Sequence, residues 1–503
     1  MKKDSNNKSI KTSNGHLQTS VPGLDDILGG GIPNDCYFLV QGDPGSGKTT
    51  LALQFLLDGV KKGEKGFYIT LSETERELKR VAESHGWSLD GIAMVDLTAI
   101  DRAVRPEKET TIFHPSEMHL GKVVRLLLDE AHKAKPTRVV FDSLSEFRLI
   151  AETPLRYRRQ LLNFKQEFAK FGSAVLLLDD KMDKAGAHID PHILSLSHGV
   201  LEMEQTTPDY GATRRRLRIF KLRGASYCEG WHDYAIVTGG IQVFPRLIAS
   251  EHRGPKESGS VSSGIAGMDA LLGGGLDRGT TALIVGAAGT GKSTLGLQYA
   301  VQMARTGEKS LVFAFDETLG IMFSRAKSLG LDLRRYVDEG LIQAQQVDPA
   351  ELSPGEFAIR VREGVDRGAK FVMVDSLNGY LNAMPGEEYL LAQLHELASY
   401  LNQRGVVSVL ILAEHGLIAA PEAPVDLSYL ADTVINMRYF EAGGHVKQAV
   451  SVIKKRSGIH EKTIREYRLV PEKGIEIGPP LVEFHGVLTG APTFTGRSEQ
   501  MMK

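Results

Sequence analysis

The sequence predicts an α/β protein made of two tandem copies of one domain, each a mainly parallel sheet covered by helices. Three observations predict it. The passage from Val21, VPGLDDILGGGIPNDCYFLVQGDPGSGKTTLALQFL, returns from Ser263 as SGIAGMDALLGGGLDRGTTALIVGAAGTGKSTLGLQYA. Short apolar strands alternate with helical stretches in one order around both passages. A glycine turn of the form G-x-x-x-x-G-K-[ST] follows an apolar strand in each.

The elements follow in order. In the first copy, CYFLVQ reads as an apolar strand and TTLALQFLLDGVKKG as a helix ended by Gly63; GFYITL is the next strand and ETERELKRVAESHG the next helix. TRVVFDS and SAVLLLD are two more strands, separated by the amphipathic stretch LRYRRQLLNFKQEFAKFG. The second copy repeats this as TALIVG, STLGLQYAVQMARTG, SLVFAFD, FVMVDS and VVSVLILAE. Strands without polar alternation must be covered on both faces, which is the habit of parallel sheets flanked by helices. A β-rich tail closes each copy: RRRLRIFKLRG with DYAIVTGGIQVF, then VKQAVSVIKKRSG with TIREYRL.

Lys48 recurs as Lys292 and Glu73 as Glu317 at the same offset of 244, and Asp142 recurs as Asp375 at 233, so a small indel separates the landmarks. Two copies of one domain are the economical explanation. The first is expected over 17–247 and the second over 261–490. The Gly/Pro/Ser-rich stretch 248–260 reads as a linker, and residues 1–16 and 491–503 as mobile, disordered tails.

Length and composition set the outer limits. The chain has 503 residues, 42% hydrophobic and 24% charged, so it has a globular profile and more polypeptide than one ordinary domain. A formal net charge of −2, from 60 Lys and Arg against 62 Asp and Glu, argues against coating nucleic acid by bulk electrostatics. Two cysteines, Cys36 and Cys228, build neither a disulfide framework nor a zinc site, and a reducing cytoplasm is the expected setting. The polar start has no apolar core of a secretion signal, and no apolar run reaches the length of about 18 residues that a membrane span needs.

The two glycine turns are Gly42–Thr49 and Gly286–Ser293. Their glycines let successive backbone N–H groups face phosphate oxygens, and the helix that follows adds positive potential. This assigns Gly45, Ser46, Gly47, Lys48, Thr49 and Thr50 to one purine triphosphate site, and Gly289, Thr290, Gly291, Lys292, Ser293 and Thr294 to a second. Thr49 and Ser293 would ligate Mg²⁺. Asp142 and Asp375, at the ends of apolar strands, would hold the same ion through water, the alternative being strand-end turn residues. Glu73, and Asp316 with Glu317, stand after the next strand in each copy. Acids there can orient or deprotonate an attacking nucleophile, or serve the start of a helix.

The GLDxxLGGG prelude, the duplicated loops, the acids after the second strand and Phe220-Lys221-Leu222-Arg223-Gly224 together resemble the KaiC family of two-domain clock ATPases and autokinases within the RecA superfamily. The resemblance runs from about Thr19 to Gly490. It implies two tandem RecA-like P-loop NTPase domains and a homohexameric double ring with ATP between neighbouring subunits. It implies that Lys221, Leu222 and Arg223, and in the second copy Lys454, Lys455 and Arg456, belong to the nucleotide sites, with Lys221, Arg223, Lys454 and Arg456 reaching across the boundary. It implies ATP hydrolysis in the first tier, autophosphorylation of an adjacent Ser–Thr pair in the second, and partner proteins that read the outcome.

The chain departs from that pattern. Ser428 stands at the serine position, but Tyr429 replaces the threonine. Ser72 replaces the first acid in copy one, and Asp316 replaces it in copy two. Gln448 stands where the family has an arginine, with Lys447 beside it, and Ser457 where a glycine is usual. The tail after Gly490 is short. The expectation is a KaiC-like ATPase with serine/threonine autokinase capacity in a simpler timing or signalling system. Two other readings stand beside it, a RecA-like or RadA-like DNA-dependent ATPase and a ring that holds ATP without kinase activity.

Three further features are read as structural. Arg214, Arg215, Arg216 and Arg218, ahead of a strand, are taken for a solvated hairpin tip or a phosphate-facing edge at the ring interface, with a nucleic-acid surface as the alternative. His188 and His192 have metal-ligand spacing but are separated by Pro191. Cys36 is a buried small apolar residue.

Overall fold

In the computed structural model of the chain, residues 15–97, 116–181, 191–208, 211–252, 254, 258–348, 350–382, 389–414, 428–487 and 493–494 are described. The chain divides into two compact units, one drawn from residues up to Thr207 with Thr213–Arg246, the other from Pro208–Ala212 with Leu247 onward. Both are α/β domains with a nine-stranded sheet of one design. Among the described residues no helix is long and apolar enough to cross a membrane.

In the first unit the strands run, side by side, Gly240–Phe244, His232–Val237, Arg214–Leu222, Gly199–Thr206, Tyr37–Gly42, Ala174–Asp180, Arg138–Asp142, Gly66–Thr70 and Ile92–Asp96. The last six are parallel and the first three join antiparallel. The second unit repeats the plan: Ile342–Gln346, Lys309–Ala314, Ala369–Asp375, Val407–Ala413, Thr281–Gly286 and Thr433–Ala442 are parallel, and His445–Lys455, Ile464–Val470 and Gly474–Pro480 extend the sheet antiparallel.

Alternate residues of one strand enter different cores. Phe38, Val40, Tyr68, Val140, Leu176 and Leu178 pack on one face of the first sheet, while Leu39, Phe67, Ile69, Val139, Phe141, Val175 and Leu177 pack on the other. The second sheet divides in the same way, with Ile284, Val312, Met373 and Val409 on one side and Leu283, Phe313, Val374 and Leu410 on the other. This double burial is why the strands read as continuous apolar runs.

One sequence expectation needs correction. Arg214, Arg215, Arg216 and Arg218 do not precede a strand; the strand begins at Arg214. Across the antiparallel pair, Arg216 and Arg218 each meet a carboxylate, Glu204 at 3.0 Å and Glu202 at 2.7 Å. Both guanidinium groups lie over the Trp231 ring, at 4.7 and 4.6 Å from its centre. Opposite charges on facing positions let a basic run pair as a strand, which charge counting along one segment does not reveal. The tails 1–14 and 495–503, most of 253–257 in the expected linker, and His188 lie outside the described residues.

Candidate nucleotide sites

Each glycine turn leaves the C-terminal end of the strand fifth in its sheet, between two parallel neighbours. Gly42 pairs with Asp180 on one side and Met203 on the other; Gly286 pairs with Ala413 and Met437. A loop at the carboxyl end of such a strand opens into the crevice where α/β sheets bind ligands.

The turn is specified by its glycines. Gly47 and Gly291 sit at φ 94° and 87°, and a Cβ on Gly47 would stand 2.7 Å from Ile236 Cδ1. They cap the helices Lys48–Lys61 and Lys292–Arg305 without any side-chain hydrogen bond. By contrast, the helix Glu75–Ser84 carries a full capping box from Thr74 and Glu77. The loop helices therefore keep their first-turn N–H groups available to an anion. The turn is braced from behind. Tyr234 Oη donates to Ser46 O at 2.5 Å, and Tyr467 Oη donates to Thr290 O.

In the first copy, Lys48 Nζ donates to Gly42 O and Asp43 O at 2.9 and 3.0 Å and forms an ion pair with Asp180 at 2.9 Å. Thr49 Oγ1 donates to Asp142 Oδ2 at 3.3 Å, and the buried Tyr68 phenol donates to the same oxygen at 2.5 Å. Burial pushes the Asp142 carboxyl above the usual range, while Tyr68, Lys48 and Thr49 oppose that shift. Glu73 follows the strand Gly66–Thr70, its backbone tied to Thr70 Oγ1. Its Oε2 is buried and has no hydrogen-bond partner. Burial first, and the Asp142 charge second, raise its pKa.

The second copy differs. Lys292 Nζ donates to Ala287 O at 2.7 Å, and burial lowers its pKa against the pull of Asp375 and Glu414. Ser293 hydrogen-bonds Asp375, whose carboxyl burial again raises. Asp316 accepts from Ser376, and Glu317 is ion-paired with Arg325. Arg325 stands where the first copy, at the offset of 244, has Val81. Glu317 is thus restrained where Glu73 is not, and Arg325, Tyr68 and Asp180 are site residues that sequence reasoning missed. The peptide bonds Asp142–Ser143 and Asp375–Ser376 are both cis.

Thr49 with Asp142 and Ser293 with Asp375 offer oxygen donors at the mouth of each loop, and Glu73 Oε2 offers a desolvated acceptor. This donor set fits a hard divalent cation shared with a polyphosphate. Among the described residues no group of three His, Cys, Asp or Glu is arranged to hold a metal unaided.

The cations at the ends of Arg214–Leu222 and His445–Lys455 are held within their own copy. Lys221 Nζ donates to Leu194 O and Ser197 O, and Arg223 to Ser195 O. Lys454 donates to Ala431 O and Arg456 to Tyr429 O. The intervening residues point elsewhere: Leu222 is in the core, and Lys455 is paired with Asp277 at 3.1 Å. Lys447 is paired with the buried Glu466 at 3.2 Å. Ser428–Leu430 form a 3-10 turn; Tyr429 is exposed, and the Ser428 side chain lies outside the described residues.

Comparison with known proteins gives a single theme. A family model described as "ATPase: KaiC" matches residues 17–248 and again 261–482. The circadian clock protein KaiC3 of Synechocystis is 25% identical over 489 residues, covering 96% of this chain and 95% of its own length. The circadian clock oscillator proteins KaiC of Thermosynechococcus vestitus and Parathermosynechococcus lividus are 26% and 27% identical; each aligns with 95% of this chain, over 92% and 88% of their own lengths.

Proposed function

The chain belongs to the KaiC ATPase family, and from that premise we propose that it works as a homohexameric double ring binding and hydrolysing Mg-ATP at the subunit boundaries of both tiers. The second copy adds autophosphorylation, on Ser428 or Tyr429 of a neighbour, and the ring reports its nucleotide or phosphorylation state to a partner protein in timing or signalling. The relatives carry the names of circadian clock proteins, which supports timing.

The observation that carries this reading is the repeated constellation: a loop lysine, a hydroxyl on a buried strand-end aspartate, and an acid after the next strand. In the proposal Lys48 and Lys292 exchange loop carbonyls for β- and γ-phosphate oxygens. Thr49 with Asp142, and Ser293 with Asp375, would hold Mg²⁺, which would supply charge neutralisation on the phosphates. Glu73, with a desolvated and unpartnered oxygen, orients the attacking water in the first copy. Asp316 and Glu317 take that role, or activate the phosphorylated hydroxyl, in the second. Lys221, Arg223, Lys454 and Arg456 leave their own carbonyls to meet a neighbour's phosphates. The arginine strand argues against DNA binding, because Arg216 and Arg218 are already neutralised by Glu204 and Glu202.

One incubation tests the reading. Purified protein with Mg²⁺ and γ-labelled ATP should release phosphate and retain label at Ser428 or Tyr429. Free phosphate without protein label removes the kinase half, and neither product removes the whole. Glu317→Gln with Asp316→Asn should abolish label while ATP still binds; persisting label would place the base elsewhere.

A further inference from the structure

The strand ends that carry the cross-boundary cations hang on matching anchors in the two copies. In the first, His198 N donates to Tyr37 O at 2.8 Å, Arg223 N donates to His198 O at 2.8 Å, and Tyr37 N donates to His198 Nδ1 at 3.0 Å. In the second, Asp432 N donates to Thr281 O at 2.8 Å, Arg456 N to Asp432 O at 2.9 Å, and Thr281 N to Asp432 Oδ2 at 3.0 Å. The backbone is the same, and only the side-chain acceptor differs: an imidazole in one copy and a carboxylate in the other.

That exchange changes the charge balance. Asp432 also accepts from Asn402 at 3.4 Å and stands 3.7 Å from Arg456, so the second copy supplies a counter-charge to its own arginine. His198 supplies none. The groups that face it are Lys165 from the helix Pro154–Lys170, with Nζ 3.2 Å from His198 Nε2, and Lys221 and Arg223 from the end of Arg214–Leu222. Cys36, ahead of the strand, couples to Lys165. Lys165, Lys221 and Arg223 spend their donors on the carbonyls of residues 194–197.

A backbone N–H can only donate, so Nδ1 must be an unprotonated acceptor and the ring proton must sit on Nε2, where it faces Lys165 Nζ at 3.2 Å without a hydrogen bond, the ammonium donating to Leu196 O instead. A second proton would turn Nδ1 into a donor facing the Tyr37 N–H, and would add a positive charge against Lys165. Burial, Lys165, Arg223 and Lys221, in that order, hold His198 below the ordinary histidine range. A carboxyl group at the same place offers an acceptor oxygen whether or not it carries a proton.

We infer that His198 is the positioning residue for Lys221 and Arg223, that only its uncharged ring fills the role, and that the first copy thereby carries a proton-sensitive hold on its cross-boundary cations which the second copy lacks. The inference rests on the proposed reading that Lys221 and Arg223 serve a neighbour's nucleotide. The hold is complete above the ordinary histidine range and is lost as pH falls through the lowered value.

The test uses the full chain carrying Lys292→Ala, so that phosphate release reports the first copy, at pH 7.5 and 5.5. His198→Asn offers Tyr37 a carbonyl acceptor that does not titrate. Its loss of turnover on acidification should be at least threefold smaller than that of the His198 protein. His198→Asp should behave alike, while His198→Ala should be slow at both values. Hydrogen exchange at the Tyr37 amide, corrected for the intrinsic effect of pH, gives a readout independent of hydrolysis. Protection should fall at pH 5.5 with His198 and persist with Asn. If Asn and His share one pH profile and one exchange pattern, the inference is overturned. If no phosphate is released at any pH, the ATPase reading has failed, and the exchange comparison alone decides whether His198 holds the strand end through its neutral ring.

Discussion

Asp180→Ala should tighten ATP binding at the first copy. Lys48 Nζ is 2.9 Å from Asp180 Oδ1, with the lysine side chain 10% and the aspartate 44% exposed. A triphosphate must displace this carboxylate from the amine. Bare Coulomb energy at 2.9 Å runs from about 1.4 kcal/mol in water to about 6 kcal/mol near a protein surface. The aspartate is nearly half exposed, so screening brings the net value to about 0.5–1 kcal/mol. Repulsion between Asp180 and an incoming phosphate contributes a similar amount. Their sum is about 1–2 kcal/mol, which at about 1.4 kcal/mol for each factor of ten is about a five- to thirtyfold lower Kd. The second copy shows that the fold tolerates the change, because Ala413 occupies the paired position. Titration calorimetry with ATP on the Lys292→Ala chain, with Asp180→Asn as the uncharged control, measures the shift. The gain should shrink in high salt, where the ion pair already counts for less. A Kd that weakens tenfold would mean that Asp180 helps to hold Mg-ATP, and would refute the idea that it competes for Lys48.

Three further outcomes are expected. Glu73→Gln should lower first-copy phosphate release by about 10²–10⁴ with ATP still bound; since burial and Asp142 raise the Glu73 pKa, the unsubstituted protein should lose this base on acidification at a pH above the ordinary carboxylate range, and the Gln variant should lack that limb. Arg138 is fully buried against Glu64 at 2.5 Å and Asp58 at 3.1 Å, so Arg138→Met, which takes the guanidinium from Glu64 and leaves Asp58 only Lys62 at 2.7 Å, should cost about 3 kcal/mol, read from the denaturant midpoint of the first unit; a loss under 1 kcal/mol would show that Lys62 and water compensate. In the proposed ring, Lys48→Ala should weaken assembly as well as ATP binding, and light scattering that finds an unchanged oligomer mass without bound nucleotide would separate the two.

How much was legible depends on how far apart the cooperating residues lie. The duplication, the α/β class and the loop residues Gly42–Thr49 and Gly286–Ser293 could be read directly, because each signal is local: a repeat, a run of apolar residues, a glycine turn opening a helix. Asp142 and Asp375 stood out because they end apolar strands. Other features left no local mark. The arginine run was misread because its partners, Glu202 and Glu204, come from the neighbouring strand. Asp180 carries no local signal, because only strand order puts it opposite Gly42.

The sequence by itself determined which chemistry is possible here, since a glycine turn, a lysine and a hydroxyl act within a few residues and their spacing alone positions them. The tertiary structure decided how the two copies differ. Tyr68 on Asp142, Asp180 on Lys48, Arg325 on Glu317 and His198 under Tyr37 are partners chosen by parallel strand order and by helix packing over the sheet. Parallel strands are joined through crossovers, so neighbours in space are distant in the chain, and a sequence repeat that keeps the backbone can still exchange the side chains that set charge.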